Sequence, residues 1–177
     1  MTHIRPATLL DGDAIHAVHR SAFPDGESET IAKLAVDLLH QQASPPIVSL
    51  VAEVDAAVVG HVAFSPLTIA GKEHVAGYIL APLAVQLEYQ KTGVGSRLVE
   101  GGLGRLSETG VEIVLVYGDP GYYGRFGFSA DAAKNYRPPY RLQYPHGWQA
   151  VRLRASRTEE SAVEVACVAP LCDPELW

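Results

Sequence analysis

The chain has 177 residues, 47% of them hydrophobic and 19% charged, which suits one compact domain with a sizeable core and excludes a disordered tail or a fibre. A formal net charge of −6 argues against nucleic-acid binding through a broad basic surface, because phosphate neutralisation needs clustered Lys and Arg. The longest apolar run, near Val75 to Val85, is broken by Gly77 and Pro82 and is too short for a hydrocarbon layer of about 30 Å, and Met1 to Pro6 lack a secretory pattern. A cytoplasmic protein with no membrane partner is the expectation.

Ile4 to Ala7 forms a short apolar segment. Asp11 or Asp13 can then cap a helix over Ala14 to Arg20, where apolar residues recur at helical spacing. A second helix is predicted from Ser28 to Leu39, with Ser28 as cap and Ile31, Leu34, Ala35 and Leu38 as its apolar stripe. Pro45-Pro46 ends it. Ile47 to Glu53 and Val58 to Ser65 are β-branched and apolar around Asp55-Ala56-Ala57, which predicts an antiparallel hairpin. A turn at Ala70-Gly71-Lys72 leads to a third strand, Val75 to Val85.

A helix is expected from about Gly93 through Leu98, Val99, Leu103 and Leu106, stopped by Ser107 to Gly110. The buried strand Val111 to Tyr117 follows this crossover and should lie parallel to its predecessor. Gly118 to Gly121 breaks the chain before a helical turn at Tyr122 to Phe126, and further strands are expected at Gln149 to Ala155 and Ala162 to Val168. These elements make a single α/β (α+β layered) domain over residues 1–177. Cys167 and Cys172, without a second pair at zinc spacing, read as buried or partly buried thiols and not as a metal site or a disulfide.

The most informative segment is Leu83 to Leu98, where a strand enters a glycine-bearing turn and then a helix. Glycine lets main-chain N–H groups approach an anion, and the helix start adds partial positive charge, so the segment can cradle a diphosphate. Alone, a Gly-x-Gly turn before a helix is a weak signal. Other nucleotide motifs fit worse, since no P-loop pattern is present and Gly93-Val94-Gly95 lacks the third glycine of a dinucleotide fold.

Gln90-Lys91-Thr92-Gly93-Val94-Gly95, preceded by Leu83-Ala84-Val85, resembles the Gln/Arg-x-x-Gly-x-Gly/Ala signature of the GNAT N-acetyltransferase superfamily. Tyr122-Tyr123-Gly124-Arg125-Phe126-Gly127-Phe128 is similar to the Tyr-x-x-x-Gly-Phe element of the same superfamily, and its Gly-Asp-Pro-Gly-Tyr-Tyr context resembles a bacterial subgroup of predicted N-acetyltransferases. With the opening Ile4 to Thr8 and the hairpin Val51 to Ser65, the resemblance covers roughly residues 3–130. It implies a mixed, mostly antiparallel twisted sheet whose parallel pair splays around acyl-CoA, with acetyl-CoA (coenzyme A) as co-substrate. It implies a cofactor cradle of Leu83, Ala84, Val85, Gln90, Lys91, Thr92, Gly93, Val94, Gly95 and Ser96. Tyr123 corresponds to the superfamily tyrosine near the thioester sulfur and is given the general-acid role.

The implied reaction moves an acetyl or short acyl group to a primary amine in a direct ternary complex. A non-catalytic acyl-CoA sensor or regulatory module is the competing reading. Pro82, lacking an N–H, suits either an edge strand or a bulge beside a site. Asp119 stands where the superfamily often has Asn. No base is assigned: Glu27 and Glu29 in the loop before the second helix, Glu88, and His61 are all more readily solvated or structural than catalytic. His74 reads as a turn residue. Residues 131–177 are expected to shape the acceptor pocket or a homodimer surface, and no metal is expected.

Overall fold

The computed structural model describes residues 1–72, 77–155 and 161–177. They fall into two compact units, one of Met1–Phe64 with Ala81–Gly102 and the other of Ser65–Leu80 with Leu103–Trp177. Strands β3 (Ala57–Ile69) and β4 (Gly77–Val85) run through both. The start predicted at Val75, like His74, lies outside the described residues.

In the first unit, β1 (His3–Pro6) pairs antiparallel with β2 (Val48–Val54), and β2 pairs antiparallel with β3. The expected hairpin forms with Asp55 and Ala56 both in the left-handed region, at φ 50 and 64, the backbone that a two-residue turn needs to match strand twist. Helix α3 (Val94–Glu108) covers one face of β3. A Cβ on Gly60 would meet Leu98 at 3.0 Å, and one on Gly102 would lie 2.0 Å from the Phe64 ring, so these glycines allow close helix–strand approach. Helices α1 (Gly12–Ala22) and α2 (Asp25–His40) cover the other face, where Ile15, Ala35 and Val51 form a fully buried cluster.

Three local expectations change. Ser28 is not a cap: α2 starts at Asp25 behind Pro24, and Ser28 is buried inside its second turn. Glu27 and Glu29 therefore lie on the helix and not in a loop before it. Asp11 precedes α1, but its carboxylate turns back to accept from Thr8 N–H at 2.7 Å and from both terminal nitrogens of Arg5 at 2.8 Å. Arg5, also bound to Glu53 at 2.6 Å, holds the Asp11 carboxyl well below the usual carboxylate range.

In the second unit, the start of β4 pairs parallel with β5 (Ile113–Tyr117) from Gly77↔Ile113 to Leu80↔Val116, as the helical crossover predicts. β5 pairs antiparallel with β7 (Trp148–Arg152), and the end of β3 pairs with β8 (Val163–Ala166). The last two strands are shorter than expected. Among the elements that the sequence did not foretell are helix α5 (Ala130–Ala133) and strand β6 (Tyr136–Arg137), which pairs with β8. Cys167 is partly buried, its thiol pushed up to about 12 by burial, whereas Cys172 is exposed, contrary to expectation; neither forms a disulfide. Among the described residues no helix is long and apolar enough to cross a membrane, and no His, Cys, Asp and Glu cluster could hold a metal ion.

Candidate functional site

All ten residues of the expected cradle lie in the first unit, along the end of β4, the following loop and the start of α3. The loop is braced from within. The Gln90 side-chain amide donates to Val85 O at 3.0 Å, and the Thr92 hydroxyl donates to Tyr89 O at 2.6 Å. Those two side chains therefore shape the loop, and its main chain is what remains to meet a ligand. Lys91 and Gly93 adopt left-handed φ values of 61 and 89, and a Cβ on Gly93 would find no atom within 4 Å.

Helix α3 makes its first main-chain bond from Arg97 N–H to Gly93 O at 3.1 Å. Among the described residues, the amides of Lys91 to Ser96 donate to no protein acceptor. A helix start always leaves donors unspent, but here the left-handed glycine leaves the approach to them open, and the exposed Lys91 stands beside them. Val94, 2% exposed, anchors the turn beneath. The arrangement suits an anion whose oxygens accept from several N–H groups at once.

The β4–β5 ladder ends at Leu80↔Val116, although β4 continues to Val85. Pro82, which has no N–H to give, sits just past that end and is preceded by a cis peptide bond. The structure thus favours the reading of Pro82 as a residue where ladder bonding stops.

Tyr123 lies in the second unit, closing helix α4 (Pro120–Tyr123). Asp119 caps that helix by accepting from Gly121 N–H at 2.8 Å, a role that accounts for an aspartate at this place. The Tyr123 ring packs edge-on against Tyr122 and Phe128, at 5.0 and 5.7 Å, and burial holds its phenol well above its ordinary value. Its hydroxyl has no partner among the described residues. Tyr122 packs on Phe126 and carries the Arg125 guanidinium over its ring at 4.5 Å, which supports packing as its role.

Of the weighed bases, Glu29 is bound to His16 at 3.1 Å and Arg20 at 2.6 Å on the surface, and Glu27 and Glu88 are exposed. His61 is fully buried and engaged at both ring nitrogens, by His19 at 2.8 Å and Ser49 at 2.9 Å, as a structural histidine should be. Burial pushes its imidazole down to about 3 and depresses His19 as well, so both stay neutral. His19 was missed, although it sits one turn after Ile15 on the buried face of α1. Its Nδ1 is buried with no partner among the described residues.

Residues 3–130 match the family model of the acetyltransferase (GNAT) domain. The uncharacterized N-acetyltransferases YjhQ and YhbS of Escherichia coli K12 are each 38% identical to this chain, covering 77% and 76% of it and 75% and 77% of their own lengths. Among solved structures, YhbS of Escherichia coli in complex with CoA aligns with a TM-score of 0.78 at 34% identity, over 93% of this chain and 89% of the other. A Brucella melitensis GNAT family acetyltransferase in complex with acetyl-CoA aligns with a TM-score of 0.75 at 30% identity, over 96% and 97%. The ordered strand, loop, helix and tyrosine elements and these likenesses agree, and the chain belongs to the GNAT acetyltransferase family.

Proposed function

We propose that this protein transfers an acetyl or other short acyl group from coenzyme A to a primary amine of a small molecule or protein, in a direct ternary complex. The observation that carries this reading is the row of unengaged amides from Lys91 to Ser96, with Gly93 open above them. Family relatives crystallised with CoA and acetyl-CoA support the choice of ligand. Lys91 to Ser96 would hold the diphosphate, while the main chain of Leu83, Ala84 and Val85 would align the pantetheine arm and stabilise negative charge on the carbonyl oxygen.

The thioester supplies an activated acyl group and a thiolate leaving group whose parent thiol has a pKa of about 8.5. Tyr123 would give its proton to that sulfur. Burial keeps the phenol protonated across the physiological range, so its O–H is present to hydrogen-bond the departing sulfur, but the same burial makes it a weaker acid, and developing negative charge on the sulfur must draw the proton over. The amine, with a pKa of about 10, must first lose a proton. The neutral His19–His61 pair is buried, Glu29 is ion-paired, and Glu27 and Glu88 are exposed, which favours proton loss to solvent.

An acceptor panel of polyamines, amino acids, aminoglycosides and peptide N-termini, scored by free-thiol release from acetyl-CoA, tests the reading. Amine-dependent release is expected. Tight CoA binding without release across the panel would favour the sensor reading instead.

A further inference from the structure

The second unit contains a buried polar side chain that the proposed reaction does not use. Gln149 lies on β7 opposite Val116 of β5 and is 1% exposed, in a strand where an aliphatic residue would bury at no polar cost. Its amide nitrogen donates to Gly118 O at 3.1 Å and to Gly147 O at 3.3 Å. Gly118 N–H in turn donates to Gly147 O at 3.0 Å. The side chain thus clips together two loops that enter the sheet edge from opposite directions, one leaving β5 and one entering β7.

Both clipped residues are glycines for a steric reason. A Cβ on Gly147 would lie 2.9 Å from Gly118 O, and a Cβ on Gly118 would lie 2.5 Å from Cε2 of Tyr123. The Tyr123 ring therefore rests on the bare Gly118 backbone. Its own N–H is tied to Asp119 O, one residue on, at 3.0 Å. Ring position follows the placement of Gly118, and Gly118 is placed by Gln149.

We infer that Gln149 is a positioning residue for Tyr123, fixing through the Gly118 and Gly147 carbonyls the glycine floor on which the ring is seated. The catalytic consequence rests on the reading of Tyr123 as the proton donor. Removing the amide would leave Gly118 O without its donor and Gly147 O with Gly118 N–H alone, and would loosen Gly118, so the ring would lose part of its seat and its hydroxyl would no longer be held in one place.

Spectrophotometric titration of tyrosinate in the full chain reads this directly. Among eight tyrosines, the Tyr123 step is isolated by subtracting the Tyr123→Phe curve. In Gln149→Met, which keeps volume and loses the donor, that step should move down towards the ordinary tyrosine value of about 10. Turnover of acetyl-CoA with the amine panel should fall by about 10-fold or more, with KM for acetyl-CoA within about 2-fold. A folded Gln149→Met with an unmoved Tyr123 step overturns the inference. Should that variant not fold, Gln149→Leu gives the same reading, because its side chain has no donor for either carbonyl and adds no charge; an unmoved step there overturns it too. A shifted step with unchanged turnover would keep Gln149 as the residue that seats the ring and would sink the acid role of Tyr123.

Discussion

The loop from Gln90 to Ser96 and the turn from Gly118 to Phe128 both pair glycines with a helix start, yet they use them in opposite ways. In the first, Gly93 faces empty space and the amides around it are unspent. In the second, Gly118 is covered by an aromatic ring, its N–H and carbonyl are both engaged, and Asp119 caps the helix it leads into. A glycine that leaves donors open suits the approach of an anion, whereas a glycine that admits a neighbouring side chain gives that side chain a seat.

The contrast predicts different failures. The largest effect should come from Tyr123→Phe: turnover falls by about 100-fold to 10,000-fold, the usual worth of a positioned proton donor, while CoA affinity stays within about 2-fold. Equal turnover by the variant would remove the distinction. Next is Gly93→Asp, which places a carboxylate before the unspent amides at a φ of 89. CoA binding should weaken by at least about 100-fold, equivalent to about 3 kcal/mol, the loss of one or two charge-assisted bonds. Smallest is Lys91→Ala, expected to weaken CoA binding by about 3-fold to 5-fold at low salt and less at high salt, because an exposed cation is screened.

A control within the first unit separates polar groups that serve the fold. The unfolded chain protonates His61 from about pH 6.5 downward, but the folded chain does so only near 3, so stability present above 6.5 is lost as the pH falls. At pH 5 the loss from His61 should be about 2 kcal/mol, with a further loss from His19, whose value is also depressed. Asp11 is held low and enters only as the pH approaches the ordinary aspartate value of about 3.9. Urea unfolding at pH 7 and pH 5 checks this. Equal stability at both, or a loss that persists in His19→Leu/His61→Leu, would contradict it.

The first region was legible in the sequence because it is a main-chain feature: glycine spacing after an apolar strand, read together with the family signature, foretells amides left without an acceptor. The strand order from β2 to β5 was legible for a similar reason, since β-branched runs and one helical crossover leave few arrangements, whereas the pairing of β1 with β2 was not foreseen. Longer-range contacts were not. The Thr8-x-x-Asp11 spacing is a local capping box that turns the Asp11 carboxylate back to Thr8 N–H, but its pairing with Arg5 depends on a cation brought alongside on β1. His19 and His61 are 42 residues apart and meet only when α1 lies on the sheet. Ser28 looked like a cap because Ser often is one, but the helix begins a turn earlier, at Asp25 after Pro24. Gln149 gave no signal, for its partners are carbonyls that any sequence carries.

Isothermal calorimetry of the folded protein with coenzyme A, run beside Gly93→Asp, tests the central claim most directly. Saturable binding by the wild type that is lost in the variant is the predicted result. Absence of binding heat with coenzyme A and acetyl-CoA at more than one temperature, or equal affinity in a folded variant, would contradict it.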